Sequence, residues 1–177
     1  MRITGLTPLY TRECIDRRVC ELAERINAVY HDEPLVAVCV LKGAVLFFSD
    51  LVRHINDTNL TLDFVRLASY GNGMQAGNIR FERDLETDIH GKHVLIVEDV
   101  VDSGQSMACL FNVLKVRGPK SLRLAALVDK KERRTASVQV DFAGFELDRG
   151  FIVGYGLDYA EQYRALPDIC VVEYTND

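Results

Sequence analysis

The run Val94-Leu95-Ile96-Val97-Glu98-Asp99-Val100-Val101-Asp102-Ser103-Gly104-Gln105-Ser106 joins a strand, a tight turn and a helix without interruption. Its first four residues are aliphatic at every position, the pattern of a strand covered on both faces and hence of a parallel sheet. From about Gln105, the spacing of Met107, Leu110, Val113 and Leu114 predicts a helix that stops near Gly118-Pro119. In open α/β sheets ligands collect beyond the carboxyl ends of the strands, where the next helix offers free N–H groups and the positive end of its dipole to a phosphate. Gly104 lets the backbone come close, and the hydroxyls of Ser103 and Ser106 add donors, so this turn could bind a phosphate without a lysine. Glu98, Asp99 and Asp102 would repel a bare phosphate and need hydroxyl donors or a cation between; ribose hydroxyls and Mg²⁺ supply both. An Asp-x-x-Asp pattern alone would read as a helix cap. The whole combination is far narrower.

Upstream, Leu35 to Leu41 is a second run that is apolar at every position. Before it, Ile15, Val19, Leu22, Ile26 and Val29 step by four and three and predict a helix from about Thr11 to Tyr30. After Lys42-Gly43, residues Ala44 to Ile55 read as a helix, and Leu60 to Ala68 as a strand whose inner face carries Leu60, Leu62 and Phe64. The stretch Tyr70 to Asn78 holds three glycines and two asparagines without periodicity and reads as a long mobile loop. Downstream, strands are expected at Leu122–Val128, Val138–Phe142, Phe151–Val153 and Ile169–Val172. The alternation predicts an α/β fold built on an open, doubly wound sheet, in one domain over residues 1–177.

Composition narrows the partners. With 177 residues, 48% of them hydrophobic, the chain can bury one sizeable core. A net charge of −5 excludes a global basic field for nucleic acid or an anionic membrane, so any anion is bound locally. The cysteines at 14, 20, 39, 109 and 170 are odd in number and form no C-x-x-C pair, which argues against a disulfide framework or structural zinc. With no basic-then-apolar leader and no apolar run of about 18 residues, a cytoplasmic protein is expected.

Residues 94–106 resemble the diphosphate-sugar signature of the phosphoribosyltransferases, and the similarity extends over nearly the whole chain, most closely to the bacterial hypoxanthine-guanine branch. The resemblance implies the type I phosphoribosyltransferase fold, an open, mostly parallel sheet flanked by helices, with a small base-binding hood. It also implies a purine-salvage reaction. The 5-phosphoribosyl group passes from phosphoribosyl pyrophosphate to N9 of hypoxanthine or guanine, giving IMP or GMP and pyrophosphate.

Residue by residue, the resemblance gives the 2′ and 3′ ribose hydroxyls to Glu98 and Asp99 and the 5′-phosphate to Val101, Asp102, Ser103, Gly104, Gln105 and Ser106. Asp102 falls beside purine N7, where a carboxylate accepts or relays a proton. Leu41-Lys42-Gly43 is similar to the family's pyrophosphate loop, whose peptide is often cis, and Arg164 to its pyrophosphate clamp. Ser69-Tyr70 resembles the start of the lid. The base site falls on Lys130, at the 6-oxo group, on Phe151, stacked against the ring, and on Ile152, reading it through backbone groups, with Asp158 beside them. Mg²⁺ is the implied cofactor, reached by Glu98, Asp99 and Asp158, and assembly as a homodimer or homotetramer is the implied quaternary state.

Taken singly, these residues have plainer readings: a glycine turn, a surface lysine, a core aromatic, a surface ion pair. Their joint order favours the site. A phosphoribosyltransferase-like RNA-binding regulator would need a basic face. A P-loop protein would need G-x-x-x-x-G-K-[ST], which is absent, and a phosphoacceptor domain has no use for Lys130, Phe151 and Arg164 together.

Overall fold

The computed structural model describes residues 2–31, 33–55, 59–69 and 79–175. Strand β1 (Arg2–Tyr10) leads into helix α1 (Arg12–Tyr30), capped by Thr11, whose hydroxyl accepts the Cys14 N–H at 3.4 Å. Ile15, Val19, Leu22 and Ile26 are buried as their spacing predicts, but Val29 is 43% exposed and Tyr30 takes its place in the core. A fourth step of three residues carries Val29 around the cylinder, and a step of four returns Tyr30 to the buried stripe. Strand β2 (Leu35–Leu41) matches its expected bounds, whereas α2 (Val45–Val52) ends before Ile55 because the His54 N–H closes on Leu51 O in a tighter final turn.

Strand β3 (Leu60–Ser69) is covered on both faces: Leu60 and Phe64 pack against the core as expected, but Leu62 is 46% exposed, and Asp63 and Val65 are buried on the opposite face. The Asp63 carboxylate accepts the N–H groups of Phe64, Glu86 and Thr87 at 2.7, 3.0 and 2.8 Å and so ties down the chain after β4 (Ile79–Arg83), an antiparallel strand that the sequence reading did not expect. Strand β5 (His93–Val101), helix α3 (Gln105–Lys115) and strand β6 (Ser121–Lys130) follow. Strand β7 (Phe142–Leu147) starts where Val138–Phe142 was expected to end. Pairing with β6 begins only at Ala125↔Phe142, and the preceding residues are engaged at the β5–α3 turn. Short β8 (Ile152–Val153) and β9 (Ile169–Thr175) complete the chain.

The main sheet has the order β4-β3-β2-β5-β6-β7, parallel apart from its β4 edge. Alternate residues of its central strands enter two cores: Ala37, Cys39, Leu95 and Val97 pack with α1 and α2, and Val36, Val38, Val94 and Ile96 pack with α3. Such double coverage is why β2 and β5 are apolar at nearly every position. A second, antiparallel sheet of order β1-β9-β8 forms the hood. The chain runs outward from β2 to β3 and then, from β5, outward the other way. The crevice between the ends of β2 and β5 is therefore the topological switch point.

Candidate functional site

Leu41-Lys42-Gly43 leaves β2 on one side of that crevice and Glu98-Asp99 lies at the end of β5 on the other. The Leu41–Lys42 peptide is cis. Gly43 touches the Asp99 carboxyl so closely that a Cβ there would fall 1.7 Å from Oδ2. The hood meets the same loop: Gly156, at φ +100°, has no room for a Cβ, which would fall 2.1 Å from Gly43 O. Two glycines thus bring β2, β5 and the segment after β8 into one crevice.

From the hood side come Asp158, Glu161 and Arg164. Arg164 Nη2 lies 2.8 Å from Asp158 Oδ1 and 3.5 Å from Glu161 Oε2, and its Nη1 donates to Gly156 O at 2.7 Å. Lys42 Nζ reaches Glu161 Oε2 at 2.9 Å. Two cations assigned to a pyrophosphate site therefore share one carboxylate, Glu161, which the sequence reading passed over. Asp158 is fully engaged, its Oδ2 accepting the Glu161 N–H at 2.8 Å.

The β5–α3 turn carries a cavity of about 320 Å³ lined by Glu98 through Gly104, Ser106 and Met107. Gln105 is turned away from it, its amide donating to Thr135 Oγ1 at 3.2 Å. On the next strand, buried Lys130 places Nζ 3.9 Å from Asp102 Oδ2 and 3.8 Å from Glu132 Oε2. Asp102 Oδ1 is buried without a protein partner.

In the hood, half-exposed Phe151 meets Tyr159 edge-on, ring centres 5.6 Å apart. Ile152 pairs with Val171 while Val172 N–H donates to Phe151 O at 2.9 Å. That register makes Ile152 and Val171 a non-hydrogen-bonded pair, so the N–H and C=O of Ile152 point away from β9, at the free edge of the sheet. Ser69 closes β3 opposite Ile79, and Tyr70 lies outside the described residues.

The electrostatics at the end of β5 are unfavourable without a ligand. Glu98 Oε2 is buried with no partner, and burial, with Asp99 next to it, raises the Glu98 carboxyl well above its ordinary range. Burial raises Asp99 to about 6, against the Val100 N–H and the Arg164 guanidinium, which lower it, while Asp158 raises it further. A carboxyl raised from 3.8 to about 6 stabilises the fold fully below pH 4, and that contribution is lost as pH rises through 6. Asp99→Asn keeps an acceptor for the Val100 N–H and is expected to stabilise the ligand-free protein at pH 8 by on the order of 1–3 kcal/mol, with no gain at pH 3.5. Thermal unfolding of both proteins in chelator checks this; a lower melting temperature for the variant at pH 8 would contradict it.

Among the described residues no three His, Cys, Asp or Glu side chains form a cluster able to hold a metal ion by themselves. Glu98, Asp99 and Asp158 are thus not a protein-only cage. The unpartnered oxygen of Glu98 and the raised Asp99 nevertheless fit a cation that takes its other ligands from substrate and water.

An adjacent acidic pair, a glycine-containing turn at a helix start and paired cations thus surround one switch-point crevice, the arrangement that the resemblance to the phosphoribosyltransferases leads one to expect. The model of the phosphoribosyl transferase domain family matches residues 9–160. The chain is 42% identical over 166 residues to the hypoxanthine-guanine phosphoribosyltransferase of Bacillus subtilis, covering 93% of this chain and 92% of that one. It is 40% identical to the hypoxanthine-guanine-xanthine phosphoribosyltransferase of Tritrichomonas foetus, with coverages of 93% and 90%. A crystal structure of the Bacillus anthracis hypoxanthine-guanine enzyme, with a HEPES molecule in its active site, superimposes with TM-score 0.90 at 38% identity, over 98% of this chain and 100% of that one. The chain belongs to the phosphoribosyltransferase family, in its hypoxanthine-guanine branch.

The sequence reading missed Glu161 and Arg134. Both sit in charged stretches, 158–164 and 130–134, that carry no signal separating an engaged side chain from a solvated one.

Proposed function

We propose that this chain is a purine-salvage enzyme that moves the 5-phosphoribosyl group of phosphoribosyl pyrophosphate to N9 of hypoxanthine or guanine. The observation that carries this reading is the placement of the Lys130 ammonium 3.9 Å from the Asp102 carboxylate at the mouth of the β5–α3 turn. In this reading Lys130 is the donor to the 6-oxo group and Asp102 the acceptor of a purine proton, next to the turn that takes the phosphate. N9 attacks C1′, the C1′–O bond to pyrophosphate breaks, and Asp102 takes or relays the proton that the base loses. Glu98 and Asp99 hold the ribose diol, the turn from Val101 to Ser106 holds the 5′-phosphate, and Lys42, Gly43 and Arg164 receive the leaving group. Phe151 stacks on the purine and Ser69-Tyr70 begins the lid.

The cofactor of this reading is Mg²⁺, which Glu98, Asp99 and Asp158 would help to hold and which would neutralise charge on the diphosphate. A cytoplasmic location is part of the reading, supported by five cysteines that are all free. So is assembly from two or four copies. Purified protein given phosphoribosyl pyrophosphate, Mg²⁺ and each of adenine, hypoxanthine, guanine and xanthine is expected to form IMP and GMP with equimolar pyrophosphate. Neither nucleotide appearing would overturn the reading.

A further inference from the structure

We propose that Arg134, together with the backbone N–H groups of Thr135 and Ala136, is an outer clamp that turns three consecutive amides of the β5–α3 turn toward the 5′-phosphate. The inference rests on the proposed function and assigns a positioning role to residues outside the cavity.

Arg134 Nη2 donates to Val101 O at 2.9 Å and Nε to Asp102 O at 2.9 Å. Thr135 N–H and Ala136 N–H donate to Ser103 O at 3.0 and 3.1 Å. Three successive carbonyls, those of residues 101, 102 and 103, are thus gripped from one side. The only cis peptide among the described residues is Leu41–Lys42, so these three peptide units are trans and planar, and in each the N–H points opposite to the C=O. Fixing the carbonyls outward aims the N–H groups of Asp102, Ser103 and Gly104 the other way. The cavity lies on that side: Asp102, Ser103 and Gly104 line it, and Arg134, Thr135 and Ala136 do not. A loop free to rotate its peptide planes would have to order them on binding, whereas here the anion meets amides already aligned.

Arg134 acts through orientation more than through charge. Its Nη2 also bonds the buried Asp129 carboxylate, which neutralises it, and donates to Lys130 O at 3.1 Å. Its stem packs beneath Gly104, where a φ of +79° disfavours any side chain and a Cβ would fall a tight 3.1 Å from Arg134 Cδ. With Nη1 also donating to Val138 O at 3.4 Å, the planar fork serves five acceptors at once, which a lysine ammonium on a single stem cannot do. If the guanidinium only supplied positive charge, lysine would replace it.

The test is calorimetric titration of the full chain with ribose 5-phosphate and, separately, with Mg²⁺-pyrophosphate, for the parent, Arg134→Lys and Ala136→Pro. The proline removes one N–H donor to Ser103 O and leaves the guanidinium in place, so it serves if Arg134→Lys folds poorly. Arg134→Lys is expected to weaken ribose 5-phosphate about 10–100-fold and Ala136→Pro about 3–10-fold, with pyrophosphate affinity within about threefold of the parent. The Gly104 amide proton, shifted downfield by ribose 5-phosphate in the parent, should lose most of that shift in Arg134→Lys. Parent-like ribose 5-phosphate affinity in both variants would overturn the clamp alone, as would equal losses for both ligands, which mark a general structural role. No ribose 5-phosphate binding by the parent would instead overturn the proposed phosphate site and the clamp with it.

Discussion

Asp102→Asn is expected to slow turnover by about 10²–10⁴ while leaving the fold and the sugar-phosphate site intact, the usual worth of a positioned acid or base. The reason lies in how the turn presents this carboxylate. Its backbone carbonyl is held by Arg134 Nε at 2.9 Å, so the residue is anchored through its main chain. The side chain has no such anchor: Oδ1 is buried without a partner, and Oδ2 is 3.9 Å from Lys130 Nζ, beyond hydrogen-bond reach. An asparagine of the same shape therefore breaks no short contact. It cannot take the proton that leaves the purine as N9 bonds to C1′. The measurement is kcat at saturating substrates, with chemistry shown to limit the rate, together with the affinity for ribose 5-phosphate. A kcat within threefold of the parent would reject Asp102 as the proton acceptor. An equal loss in sugar-phosphate affinity would assign the effect to the turn.

Adenine is expected to be used about 10⁴–10⁵-fold less efficiently than hypoxanthine, measured as kcat/KM. Hypoxanthine and guanine present a 6-oxo acceptor and an N1–H donor. Lys130 carries only donors, and the Ile152 carbonyl, turned away from β9 by its register, only accepts, so the two edges match. Adenine reverses both: its amino group meets the ammonium and its bare N1 meets a carbonyl, leaving polar groups unpaired in a buried site. Lys130 is only 7% exposed and its other neighbours, Asp102 and Glu132, are ion-pair partners at 3.9 and 3.8 Å, so the ammonium is held at this spot. Lys130→Ala should lower kcat/KM for the 6-oxopurines about 10–100-fold, the worth of one charge-assisted hydrogen bond, and leave adenine near its already low value. Phe151→Ala removes stacking that any purine shares and should weaken all bases alike. Efficient use of adenine by the parent would sink the assignment of Lys130 and Ile152.

What the sequence determined by itself is what short-range chemistry determines. The aliphatic runs 35–41 and 94–97 require cover on two faces, so they could only be inner strands of a parallel sheet, and both are. A strand followed by Ser103-Gly104 and a helix predicts a tight turn with free backbone N–H groups at the helix start, which is as far as local sequence reaches. Side chains whose role depends on partners far along the chain were less legible. The alternation Leu60, Leu62, Phe64 marked one covered face of β3 but not the second, where Asp63 is buried by its bonds to Glu86 and Thr87, more than twenty residues away. Val138 and Val140 read as a strand but pack against the core without pairing, since the segment before β7 is tied to the turn by Thr135 and Ala136. Arg134 stands in a charged run indistinguishable from a solvated face, and only the parallel register that sets Val101 against Asp129 brings it beneath the turn. Gly43 was legible as part of a loop at the site, but it took the tertiary packing to show that it makes room for Asp99 and that Gly156 makes room for Gly43 O. Local patterns are set by a residue and its neighbours within a few positions, whereas burial of a charge, and the close approach of two backbones, exist only once distant segments have met.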